Sequence, residues 1–234
     1  MEVKAIKTSI FKENENLVDF IVRHIPKLKN NSVLVVTSKI VALSEGRTAI
    51  IKNSKTKEEF IKKESDFAVK TKYVWLTIKD GAVMASAGID ESNANGKLIL
   101  LPKDSYKTAD LLRKVLLKRY KIKNLGIIIT DSRTIPLRTG IVGMAVGYAG
   151  FKGLKDYRKS KDIFGRKFHF SRVDVADSLA TSAVLEMGEG NEQKPLAIIE
   201  NTSIEFCDKV NKKELYIDPK EDMYRPLFAK LPKK

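Results

Sequence analysis

Cysteine is nearly absent from this chain: Cys207 is the only one in 234 residues. One thiol excludes an internal disulfide framework and every zinc or iron–sulfur site built on several cysteines. Histidine is almost as scarce. His24 and His169 are the only two, which argues against a His-rich metal centre and against a Ser-His-Asp relay. No stretch approaches the roughly 18 apolar residues of a membrane span, and the opening M-E-V-K-A-I-K has no apolar run of signal-peptide length. A soluble, cytoplasmic protein with no membrane partner is expected. Internal repeats, low-complexity tracts and long Pro/Gly/Ser linkers are missing as well. What remains is a folding composition, 43% hydrophobic and 31% charged. A chain of this length buries about 70% of its unfolded surface without needing a staple.

Acidic residues are outnumbered, 29 to 44, leaving a net charge of +15. Arginine is the minority cation, and the lysines are scattered from Lys4 to Lys234. A surface that reads phosphates favours the planar fork of arginine. The lysine excess therefore reads first as a solvated surface, with attraction to polyanions or to small anionic substrates as the alternative.

Several segments declare their structure. Segment 17–28 puts Leu17, Phe20, Ile21, His24, Ile25 and Leu28 on one helical face, so His24 reads as a packed or boundary histidine, with Pro26 ending the helix. Ser32–Ser38 and Leu125–Thr130 are β-branched or apolar runs of buried-strand length. Thr56 and Glu59 form a capping-box pair that would open a helix. Asp80-Gly81 between two apolar runs predicts a hairpin. Thr108–Tyr120 predicts a helix with Leu111, Leu112, Val115 and Leu116 inward and its basic residues outward. Asp174–Met187 reads as a helix stopped by Gly188, with a strand over Pro195–Glu200 after it. Cys207 reads as a small buried side chain in a strand. Strands and helices alternate without a regular βαβ rhythm, so the fold class expected is α+β with mixed sheets and flanking helices.

Three acidic residues stand apart from ordinary charged surface. Asp90 lies in a glycine-flanked loop after a strand, Asp131 follows the apolar run I-I-I-T directly, and Glu189 sits between Gly188 and Gly190 past a helix. A carboxylate at a core edge is costly unless it is paired, hydrogen-bonded or metal-bound. With the Ser132 hydroxyl, these offer hard oxygen ligands suited to Mg²⁺ or Mn²⁺. Each could equally cap a turn, and no spacing rule joins them. The glycines at 140, 143, 147 and 150 would admit either a phosphate or a packed backbone. Arg158, Asp162 and Arg166 would bind an anion or form a salt-bridged loop.

At these residues the chain resembles the CofE family, the γ-glutamyl ligases that add L-glutamate to the precursor of the deazaflavin coenzyme F-420. The segments carrying the resemblance run in order: V-L-V-V-T-S-K-I-V (33–41), S-E-G-R (44–47), A-G-I-D-E-S-N (87–93), G-I-I-I-T-D-S (126–132), G-I-V-G-M-A-V-G-Y-A-G (140–150), D-I-F-G-R (162–166), V-A-D-S-L-A (175–180) and M-G-E-G (187–190). Each is weak alone; their shared order is specific. The resemblance implies an intertwined homodimer with a ligase region over 1–210, built of two interleaved subdomains, and a C-terminal extension over 211–234. It implies GTP as co-substrate, two Mg²⁺ or Mn²⁺ ions, a possible K⁺, and L-glutamate joined to a deazaflavin or pterin acceptor.

By the same resemblance, Asp90 and Asp131 would hold one metal, and Ser132 and Glu189 the other. Ser132 stands where the family usually has threonine, which preserves the hydroxyl. Nucleotide contacts carry over to Ser38, Lys39, Asn93 and the turn Met187, Gly188, Glu189, Gly190 and Asn191. An N-terminal loop about Thr8–Phe11, including Ser9 and Ile10, corresponds to a further nucleotide contact but lacks the usual Gly-Leu-Pro character. Lys39 and Arg138 are assigned to phosphate or acyl-phosphate charge, Arg138 from its place after Asp131. Two metals with Lys and Arg would position and neutralise the oxygens in phosphoryl transfer, with no His or Cys nucleophile required.

Departures from the family pattern concern the acceptor. Leu43 replaces a lysine, and S-R-T-I-P-L-R (132–138) replaces T-F-G-R-P-W-R, gaining Arg133. A folate-type γ-glutamyl ligase of the same mechanism is one alternative. A nucleotide-binding regulator without turnover is a second, and a non-catalytic basic nucleic-acid-binding domain a third. Against the last stand scarce arginine and the lack of a recognition motif.

Overall fold

Apolar runs buried on both faces become the centre of the molecule, and the amphipathic segments cover them. The computed structural model describes residues 1–51 and 54–228. In chain order it contains β1 (Glu2–Ile6), α1 (Leu17–His24), β2 (Ser32–Thr37), α2 (Ser38–Ser44), β3 (Thr48–Ile50), α3 (Ser54–Glu64), β4 (Phe67–Lys70), β5 (Trp75–Lys79), β6 (Ala82–Ala85) and β7 (Lys97–Ile99). There follow α4 (Ser105–Tyr120), β8 (Leu125–Thr134), β9 (Ile141–Ala149), β10 (Leu154–Asp156), β11 (Arg172–Asp174), α5 (Val175–Met187), β12 (Leu196–Glu200) and a last helical turn, α6 (Arg225–Phe228).

The main sheet has the order β1-β12-β2-β8-β9. Only β2 and β8 run parallel; the other neighbours are antiparallel. A parallel pair must be covered on both faces, and the residue alternation does this. Leu34, Val36, Ile127 and Ile129 join the core beneath α1 and α4, while Val33, Val35 and Ile128 join the core beneath α5. The expected mixed α+β class is the one observed. Between α2 and α4 the chain leaves this sheet to build a smaller lobe. There β4, β5 and β6 form a three-stranded sheet, β3 pairs with β7, and Ile61, Ile89, Leu98 and Leu100 make a separate core. Among the described residues, no helix is long and apolar enough to cross a membrane.

Most expected elements form, with instructive differences. The Asp80-Gly81 hairpin forms between β5 and β6, both turn residues adopting positive φ (51° and 77°). Helix α3 is described from Ser54, which places Thr56 inside its first turn. Helix α4 starts earlier than its apolar pattern suggests because the Asp104 carboxylate accepts from the Lys107 N–H at 2.8 Å. Its inward face is also different: Leu111 and Val115 are exposed, and Ala109, Leu112, Arg113 and Leu116 are buried. A basic residue thus takes an inward position, its guanidinium donating to the Leu125 carbonyl (3.0 Å) and pairing with Asp208 (2.9 Å). Cys207 is half-buried in a segment joined to its neighbour by a single bridge between Phe151 and Phe206 among the described residues, not in a strand.

Within the glycine run, Gly143 and Gly147 resolve as packing. A Cβ on Gly143 would lie 2.4 Å from the Ala180 carbonyl oxygen in α5, and one on Gly147 would lie 2.5 Å from the Ser105 backbone at the start of α4. Helices approach β9 closely from both sides at these points.

Candidate functional site

The parallel pairing of β2 with β8 ends at Thr37 and Thr130, and Asp131 and Ser132 of β8 lie just beyond it. Ligands in α/β sheets sit at such carboxyl ends. Here a cavity of about 770 Å³ opens, a size that suits a nucleotide-sized ligand. Its walls come from five separate stretches: the loop Thr8–Phe11, the β2–α2 junction, Thr130–Ser132 of β8, the turn after α5, and residues between Ala85 and Asn95 of the smaller lobe.

Strand β8 does not stop before Asp131, as its apolar run suggested; it continues to Thr134. The pairing shifts beside Asp131, where Ile129 faces Gly147 but Thr130 faces Ala145, leaving Val146 as an extra residue on β9. Such a bulge re-aims neighbouring side chains. The Asp131 carboxylate accepts from the Ser38 hydroxyl at 3.1 Å. Burial pushes its pKa up to about 6. The Ser38 hydroxyl and the Ser132 N–H oppose the rise, and the charges of Asp90 and Glu189 add to it. Two of the three acids singled out in the sequence therefore act on the third, Asp131, through space.

Asp90 sits across the cavity in a tight turn, accepting from the Ser92 N–H (2.7 Å) and the Ser92 hydroxyl (2.9 Å). The Lys39 ammonium, at the start of α2, reaches its Oδ2 at 2.7 Å and also donates to the Ser92 carbonyl at 2.9 Å. Burial would raise the Asp90 pKa, but Lys39 and Ser92 outweigh it and hold the carboxyl below its ordinary range. On the third side the Ser132 hydroxyl donates to Glu189 Oε1 at 2.5 Å. The Asn93 amide donates to the Gly190 carbonyl at 3.1 Å, tying the smaller lobe to the turn after α5. Ser9, Ile10, Ser38, Lys39, Asp90, Asn93, Asp131, Ser132 and the whole turn Met187–Asn191 line this one cavity.

Among the described residues, no three His, Cys, Asp or Glu side chains converge closely enough to cage an ion alone. The donors present are single carboxylates beside hydroxyls. That set fits Mg²⁺, which keeps waters and takes one or two carboxylates plus substrate phosphates, better than a metal held wholly by protein.

Other expectations land elsewhere. Arg138 lies in the exposed turn between β8 and β9 and does not line the cavity. Arg133, read in the sequence as a sign of a changed acceptor pocket, pairs with Asp177 of α5 at 2.8 Å and does not line the cavity either. Leu43 does line it. The S-E-G-R stretch is a joint. Glu45 accepts from the Lys103 N–H and the Thr108 hydroxyl, and Arg47 donates to the Leu101 carbonyl and pairs with Glu64. Arg158 is paired with Asp156, and Asp162 accepts from the Phe164 and Arg166 N–H groups, the salt-bridged and turn-forming outcome for that loop.

The sequence reading missed Glu192 and Lys194 in the cavity wall. Glu192 folds back to accept from the Gly190 N–H at 2.8 Å, and Lys194 forms no ion pair with the described residues. Their place directly after the Gly-Glu-Gly turn was the available signal.

The sequence matches the family described as F420-0:Gamma-glutamyl ligase over residues 5–201. Relatives bearing the name coenzyme F420:L-glutamate ligase include one from Methanococcus maripaludis strain C7, 34% identical over 96% of this chain and 97% of its own. Those from Methanocaldococcus jannaschii and Archaeoglobus fulgidus are 31% and 30% identical, covering 96% and 92% of this chain and 97% and 92% of theirs.

Proposed function

Because the chain belongs to the F420-0:gamma-glutamyl ligase family of amide-bond-forming ligases, we propose that it joins L-glutamate to a carboxylate of a deazaflavin acceptor at the expense of GTP. The observation that carries the reading is the convergence of Asp90, Asp131, Ser132, Glu189 and Lys39 on one cavity, from stretches 40 to 150 residues apart in the chain.

The chemistry asked of these residues is positioning and charge. An acceptor carboxylate oxygen attacks the γ-phosphorus of GTP, giving an acyl phosphate and GDP. The amine of glutamate then attacks the acyl carbon, phosphate leaves, and the amine loses a proton. Divalent cations held by Asp90 with Asp131, and by Ser132 with Glu189, would supply neutralisation of the phosphate oxygens when bound. Lys39 stands at the mouth of α2 as the chain's own cation for the same purpose, ready to exchange Asp90 for a phosphate oxygen. Ser38 keeps the Asp131 carboxylate oriented through its hydroxyl, and Asn93 holds the two walls together across the cavity.

The test is mass spectrometry of products after incubation with GTP, Mg²⁺ or Mn²⁺, glutamate and a panel of deazaflavin and folate acceptors, with ATP in parallel. A gain of one or more glutamyl units on a deazaflavin, dependent on metal and accompanied by GDP, is the expected result. Modification of a folate alone would move the reading to a pterin acceptor. Asp131→Ala should lower turnover about 10²- to 10³-fold, the scale of losing an electrostatic stabiliser in a buried site, with far-UV circular dichroism unchanged. Full activity in that variant would remove Asp131 from the mechanism.

A further inference from the structure

One wall of the cavity is a loop with no secondary structure of its own, Thr8–Phe11. It exposes Ile10 (72%) beside the cavity, an apolar side chain that water does not favour. Such a segment needs external ties to keep one shape, and three exist. The Thr8 N–H donates to the Gln193 carbonyl at 2.9 Å. Phe11 is buried edge-on against Phe20 of α1, ring centres 4.8 Å apart. Between them, the Ser9 N–H points at His24 Nε2 at 3.1 Å.

The two contacts of His24 fix its chemical form. Nδ1 lies 2.9 Å from the Phe20 carbonyl, and a carbonyl can only accept, so Nδ1 carries the proton. The Ser9 N–H can only donate, so Nε2 must present its lone pair. The ring is neutral, with the proton on Nδ1. It is also held in place by Phe20, ring centres 4.4 Å apart. The Ser9 hydroxyl, at 3.3 Å from the same nitrogen, is the weaker donor to it and is able to turn toward a ligand.

We propose that His24 is a positioning residue for the nucleotide, holding the loop Thr8–Phe11 in its cavity-lining shape by accepting the Ser9 N–H at Nε2. The proposal rests on the reading of the cavity as a nucleotide site. His24 itself is not among the residues lining the cavity; it acts through Ser9. Helix α1 thereby connects the main core, where Phe20 and Ile21 are fully buried, to a ligand wall.

The test compares wild type with His24→Phe, which keeps a ring against Phe20 but cannot accept, and His24→Gln, whose amide oxygen can replace Nε2. Dissociation constants for GTP with Mg²⁺ are measured by calorimetry. His24→Phe should bind about three- to tenfold more weakly, the scale of one lost hydrogen bond, and His24→Gln should recover most of the loss. In turnover, the KM for GTP should rise by the same factor in His24→Phe while kcat at saturation stays within about twofold. Nitrogen-15 spectra of nucleotide-free wild type at pH 8 should show the proton of His24 on Nδ1. Equal affinities in all three proteins, a Gln variant as weak as the Phe variant, or a proton on Nε2 overturns the proposal. A wild type with no affinity for GTP overturns the nucleotide reading instead, and the tautomer measurement, made without nucleotide, keeps the two failures apart.

Discussion

Asp174 shows in a simpler setting what burial does to an acid in this protein. Its carboxylate caps α5, accepting from the Asp177 N–H at 2.9 Å. Burial, aided by the nearby Asp177 and Glu214 charges and opposed by that N–H and by Arg133, pushes its pKa up to about 6. An unfolded aspartate titrates near ~3.9, so between these values the folded chain binds the proton more tightly. Stability then falls as pH rises through about 6. Asp174→Asn keeps the cap, since Asn and Asp serve equally there, and removes the charge. A two-unit shift corresponds to roughly 3 kcal/mol, and partial solvent access reduces the expectation to about 1 kcal/mol. Urea unfolding should show the variant more stable than wild type by that amount at pH 7.5 and level with it at pH 4. A difference independent of pH would show that the carboxylate is not the cause. At this scale the sequence was most informative about acids: Asp90, Asp131 and Glu189 stood out by their neighbours, and all three line the cavity. It was least informative about side-chain direction. Arg133 and Arg138 follow Asp131 closely in the chain, yet neither lines the cavity: Arg133 is drawn to Asp177 of α5, and Arg138 lies in the exposed turn after β8.

Elements were legible where periodicity and punctuation agreed. The helix read from Asp174 opens as α5 with that residue as its cap, whereas the caps Asn16 of α1 and Asp104 of α4 lie ahead of the apolar periodicity and were not read from it. The apolar runs of β2 and β8 became the buried parallel pair. What no local pattern encodes is the bulge at Val146, which depends on two strands meeting out of step. Its consequence is nevertheless visible in composition. Ala145 belongs to the core under α5, while Ala149 belongs to the core under α4. The face exchange lets Gly143 meet α5 and Gly147 meet the start of α4, although four residues apart they would share a face in a regular strand. The close approach at Gly147 is to backbone, which cannot swing away. Gly147→Ala should therefore cost about 2 kcal/mol by overpacking, a fall in melting temperature of about 4–8 °C for a chain of this size. An unchanged melting temperature would mean that α4 does not press on β9 there.

At the scale of the whole molecule, the sequence showed a ligase family and a mixed fold but not how distant segments would tie together. Residues beyond β12 were expected as a region boundary at 210 and an extension after it. In the structure Glu214 accepts from the Tyr148 hydroxyl (2.6 Å) and the Gly153 N–H (2.8 Å), and the Tyr216 ring lies 2.9 Å from where Gly81 would carry a Cβ. The tail thus runs from the main sheet to the β5–β6 turn of the smaller lobe, a contact across 135 positions that local pattern cannot announce.

The same scale governs assembly. Strand β8 pairs with β2 only from Leu125 to Thr130, and its last four residues pair with β9 alone. A two-stranded ribbon is marginal in water, and this one ends in exposed Ile135, Leu137 and Ile141. The loop between β10 and β11 adds Ile163, Phe164 and Phe170, all about nine-tenths exposed. Exposed apolar groups on projecting segments are what a partner surface covers, and a second copy is the partner implied by the resemblance, since closed twofold dimers are the commonest assembly. Light scattering after gel filtration should give twice the chain mass for wild type. Leu137→Asp with Phe164→Asp should give the single-chain mass, because each buried unpaired carboxylate costs several kcal/mol of association. Wild type at the single-chain mass, at concentrations where the enzyme turns over, would mean that the ribbon is stable alone and that the cavity of one chain suffices for the reaction.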